Sequence, residues 1–287
     1  MLKSVIKKLQ SKYKYNWKQI EVRFIVSSGR TGTWFFADFF SEPNFKNIYS
    51  VHQPEPDMFH IAVDDKIRAN KTKYFLVDRI LYTRAPTCKY LVDSGTHCYV
   101  ESNPYISTLI PELRATFPKV KFLYLVRDPK SYVVSSYNYS PPNGNGKLKM
   151  YDLDDQRDHL RANDFADDPY ANKWGEMSRF EKICWNWAKY NEVILQDTTG
   201  RNDTLMLRFE DIFKSKAPEH ALTTLIDFFG FQNYMNKDIQ QLVEVLNQKR
   251  NPSGHRDLGP YNTWSQEQVE QFQKITSATA QKLNYEI

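Results

Sequence analysis

Cysteine is scarce in this chain of 287 residues, with Cys88, Cys98 and Cys184 the three present. So small, odd and widely spaced a set offers neither a disulfide framework nor zinc-site spacing, and a reducing compartment is expected. Long apolar runs are missing too. No stretch approaches the length of a membrane span, and the opening segment MLKSVIKKLQSKYKYNW is basic without a continuous apolar core. A solvated first helix fits it, a membrane-surface anchor being the alternative. The expectation is a cytoplasmic protein without stable membrane insertion. A Walker lysine is also absent: the pattern GxxxxGK[ST] fails because Thr33 and Trp34 follow Gly32, which disfavours a kinase or NTPase. Nor is there a strong charge of one sign. Lys and Arg number 39 against 34 Asp and Glu, a net +5. That balance suits anionic partners without calling for nucleic acid, and nucleotide phosphates suffice.

Hydrophobic residues make up 41% and aromatic residues 15% of the chain, enough for one domain over 1–287 with insertions. Its organising stretch is residues 21–41, EVRFIVSSGRTGTWFFADFFS. Residues 23–26 alternate and end in β-branched side chains, as a strand does, and Ser27, Ser28, Gly29 and Gly32 supply a tight turn. A helix starting near Thr33 would leave its first amides aimed into that turn, with the positive end of the helix dipole behind them. The result is an anion cradle. Gly32 allows close backbone approach, Thr31 and Thr33 add hydroxyls, and Arg30 adds a planar cation. An ordinary strand-to-helix turn is the competing reading.

Residues 47–51 read as a second strand ending at His52, ahead of the turn QPEPD. Strand ends are where a parallel α/β sheet places its chemistry, so His52 and Glu55 are candidate general bases. Residues 58–90, including YFLVDRILY, fit strand or helix alike and stay unassigned. A βαβ unit follows: a strand over 98–100, the segment ESNP, an amphipathic helix ending near Phe117, and an apolar strand over 122–126. That last strand delivers Arg127, Asp128 and Pro129 to the start of a helix near Lys130, with Ser135 two turns on. An Arg127 and Asp128 pair capping the helix is the alternative to anion binding there. Residues 140–178 are polar and rich in turns yet carry aromatics, which predicts a lid or substrate-binding insertion, with disorder as the alternative. Core packing is the expected role of Trp185 and Trp187. Beyond them a strand over 204–208, helices over 222–229 and 239–246 and a final helix complete the chain.

Taken together, SSGRTGTW resembles the 5′-phosphosulfate loop, usually [KR]SGTT, of sulfotransferases that use 3′-phosphoadenosine-5′-phosphosulfate (PAPS). LVRDPKSYVVSSY resembles their 3′-phosphate motif RDPxxxxxS, and LRFEDI, DFFGF and NTWSQEQ…LNY follow in the family's order. The resemblance implies an α/β, P-loop-like three-layer fold with a central parallel sheet flanked by helices, PAPS as co-substrate and no metal. It also implies in-line transfer of a sulfuryl group to a hydroxyl or amine. Arg30, Thr31, Gly32 and Thr33 would hold the 5′-phosphosulfate, with Trp34 in place of the second threonine of the loop and Phe35 where some members stack adenine. Arg127 and Ser135 would hold the 3′-phosphate, and Arg256, followed by Arg250, matches a C-terminal nucleotide loop. His52 or Glu55 would be the base and Arg30 the stabiliser of the leaving oxygen, while Glu101 of ESNP would orient the acceptor. A saccharide, a phenol or small alcohol, and a peptide tyrosine are the acceptor classes left open. A nucleotide phosphotransferase and a non-catalytic PAPS binder are the alternative functions.

Overall fold

Five short strands pair in parallel in the computed structural model of the chain, which is described for residues 17–140, 148–247 and 257–287. They are β1 (Glu21–Val26), β2 (Ile48–His52), β3 (Cys98–Ser102), β4 (Val120–Val126) and β5 (Thr204–Arg208), in the order β2-β3-β1-β4-β5. Parallel neighbours need crossovers, and helices provide them. Thus α1 (Thr33–Phe39) separates β1 from β2, while α2 (Lys73–Ser94) leads into β3 and α3 (Ile110–Thr116) into β4. The fold is α/β, a central parallel sheet flanked by helices with a P-loop-like turn between β1 and α1.

The chain divides into two compact units, Met1–Val126 with Ile194–Gln248, and Arg127–Val193 with Lys249–Ile287. The sheet lies wholly in the first. One sheet face carries Ile25, Val100, Leu123 and Leu125 and packs against the phenylalanines of α1. Helices α6 (Phe209–Phe213), α7 (Glu219–Phe229) and α8 (Ile239–Asn247) extend that core. Phe40, fully buried, meets the rings of Phe36, Phe39, Phe45, Phe229 and Phe231. On the opposite face Phe24 packs on Phe117 and Phe122, and Trp17 stands edge-on to Phe117. Arg23 is a charge inside a strand, and its partners explain it: Nε donates to the Phe229 carbonyl at the end of α7 at 3.0 Å, and Nη2 to Glu21 at 2.6 Å. A cation at a helix C-terminus is favourable, so the same side chain fastens α7 to β1.

Within the second unit, α4 (Pro129–Tyr137), the part of α5 (Arg179–Thr198) up to Val193, and α9 (Gln266–Lys282) carry the packing. Trp185 and Trp187 are core residues there, 2% and 0% exposed, as their sequence setting predicts. Residues 148–178 are turns and two single-turn helices, Ala162–Asp164 and Ala171–Lys173, pinned to α5 by polar bonds. Asp168 accepts from the Trp185 indole at 3.1 Å, and Asn186 bridges Tyr132 and Tyr151 at 2.7 and 3.0 Å.

The ambiguous residues 58–90 are helical: a π-helical segment Ile61–Arg68, then the 22-residue α2, whose N-cap Thr72 accepts from the Phe75 amide. The helix expected to end near Phe117 is two pieces, Pro104–Thr108 and Ile110–Thr116, because Pro104 and Pro111 each suit a helix start. Unfolding of Phe40→Ala in denaturant should show a loss of about 3–5 kcal/mol, the usual cost of deleting a buried phenylalanine ring.

Candidate functional site

Residues 27–32 turn the chain from β1 into α1, and the backbone there is left-handed at three positions. Gly29 has φ +85°, Arg30 φ +54° and Gly32 φ +86°. An L side chain is strained in that region, so glycine is the natural choice, and Arg30 is an uncommon residue to find there. Gly32 is required twice over. A Cβ at this position would lie 2.9 Å from the ring of Phe213. The turn is clamped at its start by Ser107, whose hydroxyl accepts from the Ser27 amide at 3.0 Å and donates to the Ser27 carbonyl at 2.9 Å. The Gly29 amide bonds the Ser27 hydroxyl at 3.0 Å. Phe36 makes the first helical bond, to the Gly32 carbonyl at 3.2 Å, so Thr33 and Trp34 amides stand outside the helical ladder.

Thr31 is fully buried, and its hydroxyl has no hydrogen-bond partner among the described residues. A buried orphan of this kind costs about 1–3 kcal/mol unless a ligand takes it. Arg30 is half-buried beside it. The expected helix start at Thr33 is therefore observed, and Arg30, Thr31, Gly32 and Thr33 come together as one turn. Trp34 differs from its aromatic neighbours. Its side chain is 60% exposed, with the ring edge-on to His52 at 6.4 Å between centroids. Phe35, by contrast, is a core residue against Phe36, Phe39 and Phe213, and so is not open to stack on adenine.

His52 closes β2, opposite Ser102 of β3. Its Nδ1 is buried with no hydrogen-bond partner among the described residues. Burial holds the imidazole below the usual histidine range, while the Ser102 backbone and the carboxylates of Asp38 and Glu101 push the other way. A neutral ring with an unpaired nitrogen has the proton-accepting capacity that a general base needs. Glu55 is exposed, and its Oε2 accepts from the Asp57 amide at 3.2 Å within the turn.

Glu101 is fully buried and fully occupied, which removes it as an orienter of the acceptor. Arg84 of α2 donates to its two oxygens at 2.8 and 2.7 Å, Tyr99 at 2.7 Å and Asn103 at 3.0 Å. Burial alone would raise this carboxyl, but the Arg84 guanidinium and the other donors outweigh it and hold Glu101 ionised, below the usual carboxylate range. Sequence reading missed Arg84, since nothing in YFLVDRILYTRAP marks one arginine as the partner of a glutamate 17 residues away in the chain. The neighbouring Ser102 hydroxyl donates to the Thr33 carbonyl at 2.6 Å, which ties β3 to the start of α1.

In the second unit, Arg127 is the first residue after β4. Its Nε donates to the Ser131 hydroxyl at 3.1 Å, and its carbonyl accepts from the Trp187 indole at 2.9 Å. Asp128 caps α4 by accepting from the Ser131 amide at 2.7 Å, so the helix starts at Pro129. Ser131 and Ser135 lie four apart on one face of α4, and Arg127, two residues before the helix, meets that face through its bond to Ser131. Arg250 and Arg256 lie outside the described residues.

The sulfotransferase domain family matches residues 23–283. No curated protein matches the chain. Among solved structures, the sulfotransferase domain from the curacin biosynthetic pathway shares 16% identity over 93% of this chain and 99% of its own, with a TM-score of 0.49. A sulfotransferase from Alicyclobacillus acidocaldarius shares 14% over 92% and 96%, with a TM-score of 0.47. For one from Mycobacterium avium the identity is 11% over 100% and 82%, with a TM-score of 0.48. The family match begins inside β1 and runs past α9, taking in the cradle, His52 and the Arg127 helix, and the chain belongs to the sulfotransferase domain family.

Proposed function

We propose that the protein transfers the sulfuryl group of PAPS in line to a hydroxyl or amine acceptor and releases 3′-phosphoadenosine-5′-phosphate. The observation that carries this reading is the cradle: a glycine-bearing turn, closed against Phe213, in which the buried Thr31 hydroxyl lacks a partner among the described residues beside Arg30. A tetrahedral anion of many acceptor oxygens satisfies those donors at once. Membership of the family supports sulfuryl transfer as the reaction.

In this reading Arg30, Thr31, Gly32 and Thr33 bind the 5′-phosphosulfate. Arg127 and Ser135 bind the 3′-phosphate, an assignment that rests on the RDP motif and on the bond that joins Arg127 to Ser131, one turn before Ser135. Arg256 is assigned to the nucleotide on its motif alone. Trp34 borders the donor on the side of His52. His52 takes the proton of the acceptor hydroxyl as its oxygen bonds to sulfur, and the bond from sulfur to the bridging phosphate oxygen breaks. Arg30 and the turn amides stabilise the charge that gathers on that oxygen. Glu55 is the second candidate base, exposed three residues after His52. The chemistry asks for positioning and charge stabilisation, with no covalent intermediate.

The test is product formation from labelled PAPS with a panel holding a saccharide, a phenol, a small alcohol and a tyrosine peptide, in the presence of chelator. Transfer to one class is expected, and a strict Mg²⁺ requirement would favour a phosphotransferase instead. His52→Ala should keep its affinity for the product nucleotide while turnover falls by about 10²-fold or more, the usual worth of a general base. Unchanged turnover would move the role to Glu55. Because burial lowers the His52 pKa, the acid limb of the rate profile should lie below the ordinary histidine value of about 6.5. Activity is lost as pH falls through it, since protonation removes the base. Arg127→Ala should weaken nucleotide binding about ten- to a hundredfold, by loss of one charge-assisted bond, without unfolding the chain. Gly32→Ala should weaken it as well, through the strained φ and the Phe213 clash, with titration calorimetry as the readout for both.

A further inference from the structure

Arg84 and Glu101 are charged side chains with no exposed surface at all. Desolvation offsets most of the attraction in a buried ion pair, so stability alone is a poor reason to keep one. Its geometry supplies another. Nε and Nη2 of Arg84 are spent on Glu101, while Nη1 donates to the Pro56 carbonyl at 2.6 Å. Pro56 lies in the turn that leaves β2, four residues beyond His52. From the other side, the Ser102 carbonyl accepts from the Gln53 amide at 3.2 Å, and the Ser102 hydroxyl reaches the Thr33 carbonyl of the cradle helix. In the β2–β3 register Glu101 faces Val51 and Ser102 faces His52. One strand end thus grips both the turn after His52 and the first residue of α1.

We propose that the Arg84–Glu101 pair is a positioning device, holding residues 53–57, and with them the His52 ring, in register with the phosphate cradle. This rests on the reading of His52 as the base. Arg84 touches no reacting atom in that reading and acts through Pro56. Only a planar guanidinium can bind a carboxylate along one edge and still offer a donor to a third group, which makes arginine the residue the arrangement needs. The groups that bear on His52 are Asp38 from α1, Glu101 from β3 and the edge of Trp34, together with the Ser102 backbone.

Arg84→Lys keeps a cation for Glu101 and withdraws the bond to Pro56. In the full chain without ligand, amide hydrogen exchange should quicken about tenfold over residues 53–59, as expected for one lost bond to a charged donor, and stay as in the parent over β1 and β4. A loosened turn admits water to the ring. The His52 titration, followed by nitrogen NMR and assigned with His52→Asn, should then climb toward the ordinary value. Tyr99→Phe removes a different donor to Glu101 and leaves Arg84 on Pro56, so both readouts should match the parent. If Arg84→Lys does not fold, the double variant Arg84→Gln with Glu101→Gln takes its place and is read by exchange alone, because losing the Glu101 charge itself lowers the His52 titration. Unaltered exchange and titration in the lysine variant, or unaltered exchange in the double variant, would overturn the proposal, as would an equal change in Tyr99→Phe, which would mean general softening. Neither readout needs catalysis, so a failure of the base assignment shows separately, in the turnover of His52→Ala.

Discussion

The backbone of Gly32 lies against the ring of Phe213, and the site depends on that contact. It leaves no room for a side chain where β1 hands over to α1, the left-handed φ at the same residue separately calls for glycine, and the Thr33 and Trp34 amides that follow stand outside the helical ladder. Phe213 closes α6, and its own position is set by Phe35, Phe36 and Phe209. The aromatic density of α1 therefore serves the turn as well as the core. Phenylalanines on the sheet side hold the helix down, and the glycine lets the chain approach without a Cβ in the way. The turn is built by packing from behind.

Polar groups complete the frame from the neighbouring strand. Ser107 fixes the entry to the turn at Ser27, Ser102 fixes the exit at Thr33, and Arg84 with Glu101 fixes the chain beyond His52. All of these come from β3, from the segment just after it or from the helix just before it. Their burial is possible because each donor and acceptor finds a partner, which is the condition for polar groups to be kept inside a fold. Thr31 Oγ1 and His52 Nδ1 are among the side-chain atoms buried without partners in the described residues, one in the cradle and one at the proposed base. The proposed roles of Thr31 and His52 draw on those two unmet bonding capacities.

Local signals in the sequence carried far. Alternating apolar residues bounded by turn formers placed the strands to within a few residues, and the run SSGRTG placed the start of α1 at Thr33. The motif pair SSGRTGTW and LVRDPKSYVVSSY points to the family by itself. Residues 58–90 resisted because α2 is amphipathic only in part: Arg84 points inward for a polar reason, and Tyr82 and Tyr90 stay largely exposed. A hydrophobic pattern cannot announce a buried arginine. Glu101 failed for the same reason, since a carboxylate at a strand end looks like chemistry until its four donors are seen. Phe35 shows the converse case, where a family position suggested a ligand contact and packing claimed the side chain.

The most direct measurement is a calorimetric titration of the protein with 3′-phosphoadenosine-5′-phosphate and with ADP, both in chelator. The account predicts binding of the first without metal and much weaker binding of the second, with the preference reduced in Arg127→Ala. Equal affinity for the two nucleotides, or binding that appears only when Mg²⁺ is added, would contradict it and return the cradle to the phosphotransferases.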